Sequence, residues 1–499
     1  MADPTRYVSR EPYKLYIGGE LVPSRSGATF EIINPVTNES FARAYQAGVE
    51  DVQRAIDAAR AAFDEGPWGS MSGQERSRLL LKARDVLAAR ADEFAHLETL
   101  DCGKLYPSVR YFEVPNAIDG FEYSAGKARG IEGRVVPVGD GPRCLNYVLW
   151  QPVGVVAEIL PWNGPLMMGC QKVSAILAAG NTVIIKPSSW ASLSLLALAS
   201  VFHEAGFPPG VVNIISGPGS VVGDALTASP SVDMVSMTGG TETGKHILAA
   251  AAPTVKKLAL ELGGKSPNIV FSDVDVPNAA RWAVFGFTLN AGQVCVAGTR
   301  LIVHEDIYDE LLAAIVEQCR SLRPGNGFDY ERGVNFQSLI SRDHCAAVWR
   351  YIEEGRKGGA RLVTGGEPYR DPALAKGNFV PPTVFADVTP DMRIFQEEIF
   401  GPVLCVTRFR TEEEAVRLAN CVRYGLAGAV FTRDVARAHR VAARIHAGQL
   451  YINSYYSRGM MESPGAGWKE SGLGDAGVLK YMHPKTIFVD LNEKSTPPL

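Results

Sequence analysis

Short apolar β runs that alternate with helical stretches fill the sequence from Val153 onward. The runs cover 153–160, 182–186, 211–215 and 234–237, and helical patterns near 165–179, 192–205 and 221–228 separate them. A second series follows Glu261, with β runs at 268–271, 300–303, 403–409 and 429–432. Strands that are apolar almost throughout are typical of a parallel sheet covered by helices on both faces. We therefore expect an α/β protein whose ligands bind beyond the carboxyl ends of the strands.

The size and charge of the chain narrow its class. A chain of 499 residues, 46% of them hydrophobic, is too long for one core and predicts two or three domains. A formal net charge of -4 gives no reason to expect nucleic acid or an anionic membrane as a partner. The first residues lack the apolar core of a signal peptide, and no run approaches the roughly 18 to 20 apolar residues of a spanning helix. The sequence therefore predicts a soluble, cytoplasmic protein.

Eight cysteines are scattered along the chain without a C-x-x-C pair or histidines at metal-ligand spacing. Neither a disulfide framework nor a metal site is predicted. Cys295 stands out because Gly292 and Gly298 flank it, and glycines let a backbone turn sharply and a substrate approach closely. This is a plausible position for a nucleophilic thiol. From these residues alone, an ordinary buried cysteine between Val294 and Val296 is the better interpretation.

Two of the predicted strands end in residues suited to a nucleotide. The strand at 182–186 ends in Lys186, Pro187, Ser188 and Ser189, and the strand at 234–237 runs into a glycine-rich turn, 238–245, that enters a helix. A helix N-terminus with free amide groups binds phosphate. The glycine pattern alone is weak, since many turns use glycine only to turn. Its position directly after an apolar strand favours a nucleotide site.

Six blocks taken together resemble the aldehyde dehydrogenase superfamily over essentially the whole chain. They are Leu160-Pro161-Trp162-Asn163, Lys186-Pro187-Ser188, Gly239-x-Thr241-x-x-Gly244, the run 261–267 (ELGGKSP), Gly292-Gln293-x-Cys295 and the run 397–402 (EEIFGP). Glu261 and Cys295 also lie 34 positions apart, as in that family. The resemblance implies a Rossmann-type dinucleotide-binding domain, an α/β catalytic domain and a small β element for oligomerisation. It also reverses the interpretation of Cys295 as an ordinary buried residue.

The resemblance implies oxidation of an aldehyde to its carboxylic acid with NAD(P) and water. Cys295 as thiolate would attack the carbonyl, and the amide of Asn163 with the backbone N–H of Cys295 would hold the oxyanion. Glu261 would activate the water that hydrolyses the thioester, a role that suits a partly buried carboxylate with a raised pKa. Lys172 resembles a lysine that assists proton movement. A solvated helix lysine is an equally good interpretation of Lys172.

Cofactor roles follow from the same resemblance. Trp162 would lie near the nicotinamide, Lys186 at the adenosine ribose, Gly240 and Thr241 at the pyrophosphate, and Glu398 with Phe400 at the nicotinamide ribose. The remaining cofactor candidates are Leu160, Ser188, Ser189, Gly219, Gly239, Gly244 and Leu262.

Position 189 departs from the family pattern. NAD-preferring relatives usually carry a glutamate three residues after the lysine of the Lys-Pro pair, and this chain has Ser189. A carboxylate there would repel a 2′-phosphate, whereas a serine leaves space and a hydrogen bond beside Lys186. We therefore expect NADP to be accepted at least as well as NAD.

The expected substrate tunnel also departs from the pattern. Gly164, Gln171 and Leu289 stand where many relatives have aromatic residues, and Met168, Val294 and Val296 complete the wall. These residues predict a wider and more polar pocket, suited to an aromatic aldehyde or an acid semialdehyde. Arg458 falls close to another usual aromatic position and could pair with an anionic group of the substrate. A surface arginine is an equally good interpretation.

The predicted organisation has three parts. Residues 1–130 and 151–260 would form the dinucleotide-binding domain, 261–450 the catalytic domain, and 131–150 with 451–499 the oligomerisation ribbon and tail. Strand addition across a two-fold axis would give a homodimer or a homotetramer.

Three rival functions stay open at this stage. A CoA-acylating relative would intercept the thioester with CoA, although such enzymes typically lack the glutamate found here at Glu261. A structural homologue would keep the fold and lose the chemistry, as lens crystallins have done. A cysteine hydrolase that uses His304 or His344 would leave the cofactor blocks unexplained.

Overall fold

The computed structural model describes residues 3–138, 143–456, 461–463, 465–475 and 477–492. The predicted substrate anchor Arg458 lies outside these ranges. Among the described residues, no helix is both long and apolar enough to cross a membrane.

The strands are β1 Leu15–Ile17, β2 Glu20–Val22, β3 Thr29–Asn34, β4 Glu39–Tyr45, β5 Arg134–Val135, β6 Cys144–Pro152, β7 Val155–Ile159, β8 Thr182–Lys186, β9 Val212–Ile214, β10 Met234–Thr238, β11 Lys257–Glu261, β12 Pro267–Val270, β13 Arg300–His304, β14 Arg361–Thr364, β15 Thr383–Ala386, β16 Val403–Phe409, β17 Tyr424–Gly425, β18 Ala427–Phe431, β19 Gln449–Ile452, β20 Trp468–Lys469, β21 Gly472–Leu473 and β22 Met482–Asp490.

The α-helices are α1 Val49–Asp64, α2 Gly73–Ala89, α3 Ala91–Cys102, α4 Tyr106–Ser108, α5 Val114–Arg129, α6 Pro165–Ala178, α7 Leu193–Ala205, α8 Asp224–Ala228, α9 Thr241–Ala251, α10 Val276–Thr288, α11 Tyr308–Arg320, α12 Arg342–Lys357, α13 Arg393–Gln396, α14 Glu412–Asn420 and α15 Val435–Ala442. Short 3-10 turns cover Pro67–Ser70, Ala252–Thr254, Leu289–Gly292, Glu305–Ile307, Gly327–Arg332, Pro372–Leu374 and Val478–Tyr481, and π-helical turns cover Val109–Glu113 and Gly219–Gly223.

The first large sheet has the strand order β2-β1-β9-β8-β7-β10-β11-β21. Its strands β7 to β11 pair in parallel, and β1, β2 and β21 add antiparallel edges. Successive residues of β7 point to opposite faces, so that Val155 packs with α1 and Val156 packs with α6 and α7. The buried alternating series in the sequence is therefore a parallel sheet with helices on both faces, as predicted.

The second large sheet has the order β14-β15-β16-β13-β12-β18-β19, and only β14 is antiparallel to its neighbour. The sequence predicted β12, β13, β16 and β18 but did not predict β14, β15 or β19. The predicted α/β class is confirmed.

The ribbon and the C-terminal strand pair within the chain. β6 and β22 are antiparallel over nine residue pairs, from Pro152 opposite Met482 to Cys144 opposite Asp490, and β5 pairs with the other edge of β6. β21 joins the first sheet beside β11, so the chain after β19 contributes to more than one sheet. The predicted domain boundaries stay a prediction.

Candidate active site

The loop that carries Cys295 is held in an uncommon backbone conformation. α10 ends at Thr288, and Asn290 and Ala291 then have φ values of 52° and 53° and Gly292 a φ of 76°. A Cβ added to Gly292 would lie 2.3 Å from the carbonyl oxygen of Gly401. The left-handed turn and this close approach both require glycine at 292. Cys295 follows the turn and is partly buried.

Side-chain amides fix the loop around the thiol. The Asn163 amide donates to the Gln293 carbonyl at 2.9 Å, and the Asn290 amide donates to the Asn163 carbonyl at 3.0 Å. The Gln293 side chain accepts from the Ile340 N–H at 2.9 Å and donates to the Asn290 carbonyl at 3.0 Å. These bonds bring Asn163, from the end of β7, next to the cysteine loop of the second sheet.

A cavity of about 480 Å³ contains the thiol, and we call it the thiol cavity. Its lining is Met167, Met168, Gln171, Lys172, Thr238, Glu261, Cys295, Val296, Leu426, Gly448, Gln449, Leu450, Tyr451, Tyr456, Ser463 and Gly465. Six predicted site residues therefore meet here: Cys295, Glu261, Lys172, Met168, Gln171 and Val296. The sequence did not indicate Tyr451, which lies on the unpredicted strand β19, or Tyr456, which follows that strand.

Three predicted wall residues lie elsewhere around the loop. Gly164 precedes α6, where a Cβ would lie 2.8 Å from Met168 Cε. Leu289 begins the turn after α10, and Val294 packs with Val296, Leu426 and their neighbours. None of the three is part of the lining of the thiol cavity in the described chain. Their role in binding substrate stays a prediction.

Burial and charge set the protonation of the two reacting groups. Burial, and after it the carboxylates of Glu398 and Glu261, raise the pKa of the Cys295 thiol to about 12, although the N–H groups of Val296 and Cys295 act in the opposite direction. Burial also raises the pKa of Glu261, which the ammonium groups of Lys172 and Lys480 and the Gly467 N–H oppose. A carboxylate with a raised pKa is suited to accept a proton near neutral pH.

Lys172 belongs to the cavity rather than to the solvent. Its side chain is 12% exposed, and its Nζ lies 3.4 Å from Oε1 of the fully buried Glu158. The interpretation of Lys172 as a solvated helix residue is therefore inconsistent with its burial.

A second cavity, of about 750 Å³, lies at the carboxyl ends of β7, β8 and β10, and we call it the nucleotide cleft. Its lining includes eight of the predicted cofactor residues, namely Leu160, Trp162, Lys186, Ser188, Ser189, Gly219, Gly239 and Gly240. The other lining residues are Ile159, Pro161, Trp190, Ser220, Gly223, Asp224, Met237, Thr238, Glu242, Thr243, His246 and Ile247. Thr238 lines both cavities, so they meet at the end of β10.

The glycines of the cleft leave room for a ligand. At Gly219 and Gly240, no atom of another described residue beyond the chain neighbours lies within 4 Å of an added Cβ, and neither glycine has a positive φ. Protein packing therefore does not require glycine at these positions, whereas close approach of a phosphate would. α9 begins after Gly240 without a side-chain cap, so its first amide groups are available to an anion. The cleft fits the pyrophosphate of a dinucleotide.

The other predicted cofactor residues line neither cavity in the described chain, and Thr241 and Glu398 instead bind the glycines that follow β11. Thr241 Oγ1 accepts from the Gly263 N–H at 3.3 Å, and Glu398 accepts from the Gly264 N–H at 3.0 Å. A Cβ added to Gly244 would lie 2.5 Å from the Leu262 side chain, so this glycine allows α9 to pack closely on that residue.

An aromatic group holds the end of the cleft near Trp162. The ring centroid of Trp162 lies 5.2 Å from that of Phe400 and 5.3 Å from that of His344, both edge to face. The Nε2–H of His344 donates to the Phe400 carbonyl at 2.7 Å, and Phe400 has a φ of 57°. The sequence indicated His344 only as a candidate base of a cysteine hydrolase. Neither His344 nor His304 lines the thiol cavity in the described chain, which disfavours the hydrolase.

The fold and the site together define an α/β protein in which a partly buried thiol and a partly buried carboxylate share one cavity, next to a cleft at the carboxyl ends of the strands. A model of the aldehyde dehydrogenase family matches residues 21–487. The chain belongs to the aldehyde dehydrogenase family, and it is an oxidoreductase that acts on aldehydes.

Known relatives resemble the chain over nearly its whole length. It is 42% identical over 480 residues to a betaine aldehyde dehydrogenase of Bacillus subtilis, and the aligned region covers 95% of this chain and 96% of the relative. It is 40% identical over 484 residues to aldehyde dehydrogenase family 2 member C4 of Arabidopsis thaliana, and the aligned region covers 96% of this chain and 95% of the relative. The NAD+ complex structure of an aldehyde dehydrogenase from Bacillus cereus superposes with a TM-score of 0.95 at 39% identity, over 99% of both chains.

Proposed function

We propose that the protein oxidises an aldehyde to the carboxylic acid with NAD(P)+ and water through a thioester on Cys295. The observation that carries this proposal is that Cys295 and Glu261 line one cavity, which meets the nucleotide cleft at Thr238. The proposed nucleophile Cys295 and the proposed base Glu261 therefore lie in a cavity that adjoins the proposed dinucleotide site.

The first step is attack of the Cys295 thiolate on the aldehyde carbon. The Asn163 amide has two N–H groups, of which one is bonded to the Gln293 carbonyl. The other N–H and the backbone N–H of Cys295 would hold the oxyanion that forms. Because the loop is fixed by several hydrogen bonds, these donors need little reorganisation when charge develops.

Residues of the nucleotide cleft would hold NAD(P)+, which supplies the hydride acceptor when it is bound. Lys186 and Ser188 lie at the end of β8, and the free amides at the start of α9 face the same cleft. Glu398 and Phe400 would hold the opposite end beside Trp162. These residues would orient the dinucleotide next to the thiol cavity.

The last step is hydrolysis of the thioester. Glu261 would remove a proton from a water molecule that attacks the acyl carbon, and the thiolate of Cys295 would leave. Burial of Glu261 raises its pKa and so improves it as a base.

The cofactor choice depends on Ser189. The Ser189 hydroxyl donates to the Gly217 carbonyl at 3.1 Å, which directs its proton away from the cleft. Its oxygen lone pairs cannot donate to a phosphate, so the earlier expectation of a hydrogen bond to the 2′-phosphate is weakened. The absence of a carboxylate at this position still supports acceptance of NADP+ at least as well as NAD+.

The substrate we propose has an aromatic or otherwise wide body and a polar acceptor. Met168, Tyr451 and Tyr456 give the thiol cavity an apolar and aromatic wall. The amide nitrogen of Gln171 lines this cavity and is buried without a hydrogen-bond partner in the described chain. A substrate oxygen could accept from it. Arg458 as an anchor for an anionic substrate stays a prediction.

We further propose a homodimer or homotetramer built on the sheet of β5, β6 and β22. β22 forms one edge of this sheet, and Phe488 on it is 65% exposed. An edge strand with an exposed aromatic residue is suited to pair with a second copy. Light scattering coupled to size-exclusion chromatography measures the mass directly, and a monomer at micromolar concentration would contradict the proposal.

The function is tested with aliphatic, aromatic and acid-semialdehyde substrates, each with NAD+ and with NADP+. We expect reduced cofactor and the free carboxylic acid in equal amounts. Cys295→Ser should abolish both, and Glu261→Gln should allow one turnover and then stop. Added CoA that yields acyl-CoA would instead favour the acylating rival. No turnover on any aldehyde would favour a structural homologue.

A further inference from the structure

A cluster of charged side chains lies behind Glu261 on one face of the first sheet. Glu158 on β7 and Ser236 on β10 are direct neighbours, and Ala259 on β11 completes the row. Glu261 comes two residues after Ala259 and therefore shares this face. Strands lie about 4.8 Å apart, so two spacings separate the strands of Glu158 and Glu261. A proton can therefore pass between the Glu158 and Glu261 carboxylates only through a group that lies between them.

Glu158 is a buried carboxylate with few partners. It has no exposed surface, and neither oxygen accepts a hydrogen bond of ordinary geometry from the described residues. Burial raises its pKa, and the ammonium of Lys172, the hydroxyl of Ser236 and the ammonium of Lys480 oppose this rise. A buried carboxylate that is so poorly satisfied costs stability, and such groups are common at functional sites.

Lys172 connects Glu158 to the thiol cavity. Its Nζ lies 3.4 Å from Glu158 Oε1, and its charge lowers the pKa of Glu261. The ammonium has no hydrogen-bond partner in the described part of the chain, although the residue lines the cavity. Lys172 is therefore free to exchange protons with a carboxylate on either side.

Lys480 reaches the cluster from the 3-10 turn Val478–Tyr481. Burial and the charge of Lys172 lower its pKa to about 8, while Glu261 and Glu158 raise it. The residue is partly exposed, so it can exchange protons with solvent near neutral pH. Tyr481, on the same turn, has its hydroxyl 3.5 Å from Ser236 Oγ, and burial keeps its pKa well above the usual range. Tyr481 therefore stays neutral.

We propose that Lys172, Glu158 and Lys480 relay to solvent the proton that Glu261 takes from the hydrolytic water. This inference rests on the proposed function, because Glu261 gains a proton only if water attacks a thioester. The Lys172 ammonium gives a proton to the Glu158 carboxylate and takes the proton of the Glu261 carboxyl group. Neutral Glu158 then gives its proton to uncharged Lys480, which releases it to water. One proton leaves, and Glu261 returns to its carboxylate form.

The test measures the two halves of one turnover separately. Stopped-flow absorbance gives the rate of cofactor reduction, and rapid quench with a labelled aldehyde gives the rate of acid release. For Glu158→Gln we expect the rate of acid release to fall at least about tenfold. This threshold is smaller than the contribution that a positioned proton-transfer group usually makes to a rate. Cofactor reduction in the first turnover should change less than twofold. Lys480→Met should likewise slow acid release and leave cofactor reduction almost unchanged. Because Lys480 is partly exposed, this variant should fold more readily than Glu158→Gln.

The pH profile of acid release distinguishes a relay from a structural role. Lys480 lowers the pKa of Glu261, so its removal should move the acidic limb to higher pH. Loss of Glu158 leaves both lysines to act more strongly on Glu261, and the limb should move to lower pH. The control variant is Lys485→Met, because Lys485 is an exposed lysine on β22. It should change neither the rate of acid release nor the position of the acidic limb.

Three outcomes would overturn the relay: acid release at the parent rate in both variants, equal loss of both half-reactions, or an unmoved acidic limb. Failure of the proposed function is recognised separately, since the parent enzyme would then reduce no cofactor or release no acid.

Discussion

The side-chain amide of Asn163 donates a 2.9 Å hydrogen bond to the carbonyl of Gln293, two residues before Cys295. This bond ties the end of β7, in the first sheet, to the cysteine loop that follows α10 in the second part of the chain. With the bond from the Asn290 amide to the Asn163 carbonyl, it holds the proposed oxyanion donor next to the proposed nucleophile, although the two large sheets share no strand.

Replacement of Asn163 by alanine should reduce kcat about 10²- to 10³-fold, because one oxyanion donor is lost. The fold should lose only about 1 kcal/mol, the net contribution of one hydrogen bond. Steady-state kinetics and thermal unfolding measure the two effects. Asn420→Ala is the matched control, since the Asn420 amide donates to the Arg444 carbonyl at 2.8 Å away from both cavities. A control that lost activity as strongly would refute the assignment.

Alanine at Gly292 and at Gly219 should have opposite consequences. Gly292 has a φ of 76° and no space for a Cβ, so Gly292→Ala should lower the free energy of unfolding by about 2 to 4 kcal/mol. Gly219 does not have a positive φ, and in the described part of the chain no residue other than its neighbours in sequence comes within 4 Å of an added Cβ. Gly219→Ala should therefore keep its stability and raise the KM for the dinucleotide. Equal stability of the two variants would contradict the packing described for the loop.

The sequence predicted the parallel strands well because they are buried on both faces and so are apolar without interruption. β15 and β19 were missed, since each has only four residues and its pattern does not differ from that of a buried turn. Because β19 was not predicted, Tyr451 and Tyr456 could not be predicted as cavity residues. They reach the thiol cavity because β19 pairs with β18.

The motif residues that line the two cavities were recognised through the six blocks that resemble the aldehyde dehydrogenase superfamily. Supporting residues were not, since their role depends on contacts between distant segments. Lys480 lies more than two hundred residues after Glu261 in the sequence, and nothing local distinguishes it from a surface lysine. Ser189 was recognised, but only the structure shows that its hydroxyl is bonded to Gly217.

Alkylation of Cys295 in the enzyme without cofactor should be slow at pH 7 and should accelerate up to high pH. The raised thiol pKa of about 12 means that the thiolate is a small fraction at neutral pH and increases about tenfold with each pH unit. Glu261→Gln should increase the rate, because one negative charge that opposes the thiolate is removed. Iodoacetamide labelling followed by peptide mass spectrometry separates Cys295 from the exposed Cys421. A labelling rate that is independent of pH between 6 and 9 would contradict the predicted burial of the thiol.

The identity of residue 189 should decide the preference between NADP+ and NAD+. Ser189→Glu places a carboxylate in the nucleotide cleft near Lys186, where it would repel a 2′-phosphate and could accept hydrogen bonds from ribose hydroxyl groups. We expect kcat/KM with NADP+ to fall at least about thirtyfold, which corresponds to about 2 kcal/mol, and kcat/KM with NAD+ to stay within about threefold. Ser189→Ala is the control for the bond to Gly217 and should affect both cofactors alike. A parent enzyme that already prefers NAD+ by a hundredfold or more would show that other residues of the cleft exclude the 2′-phosphate.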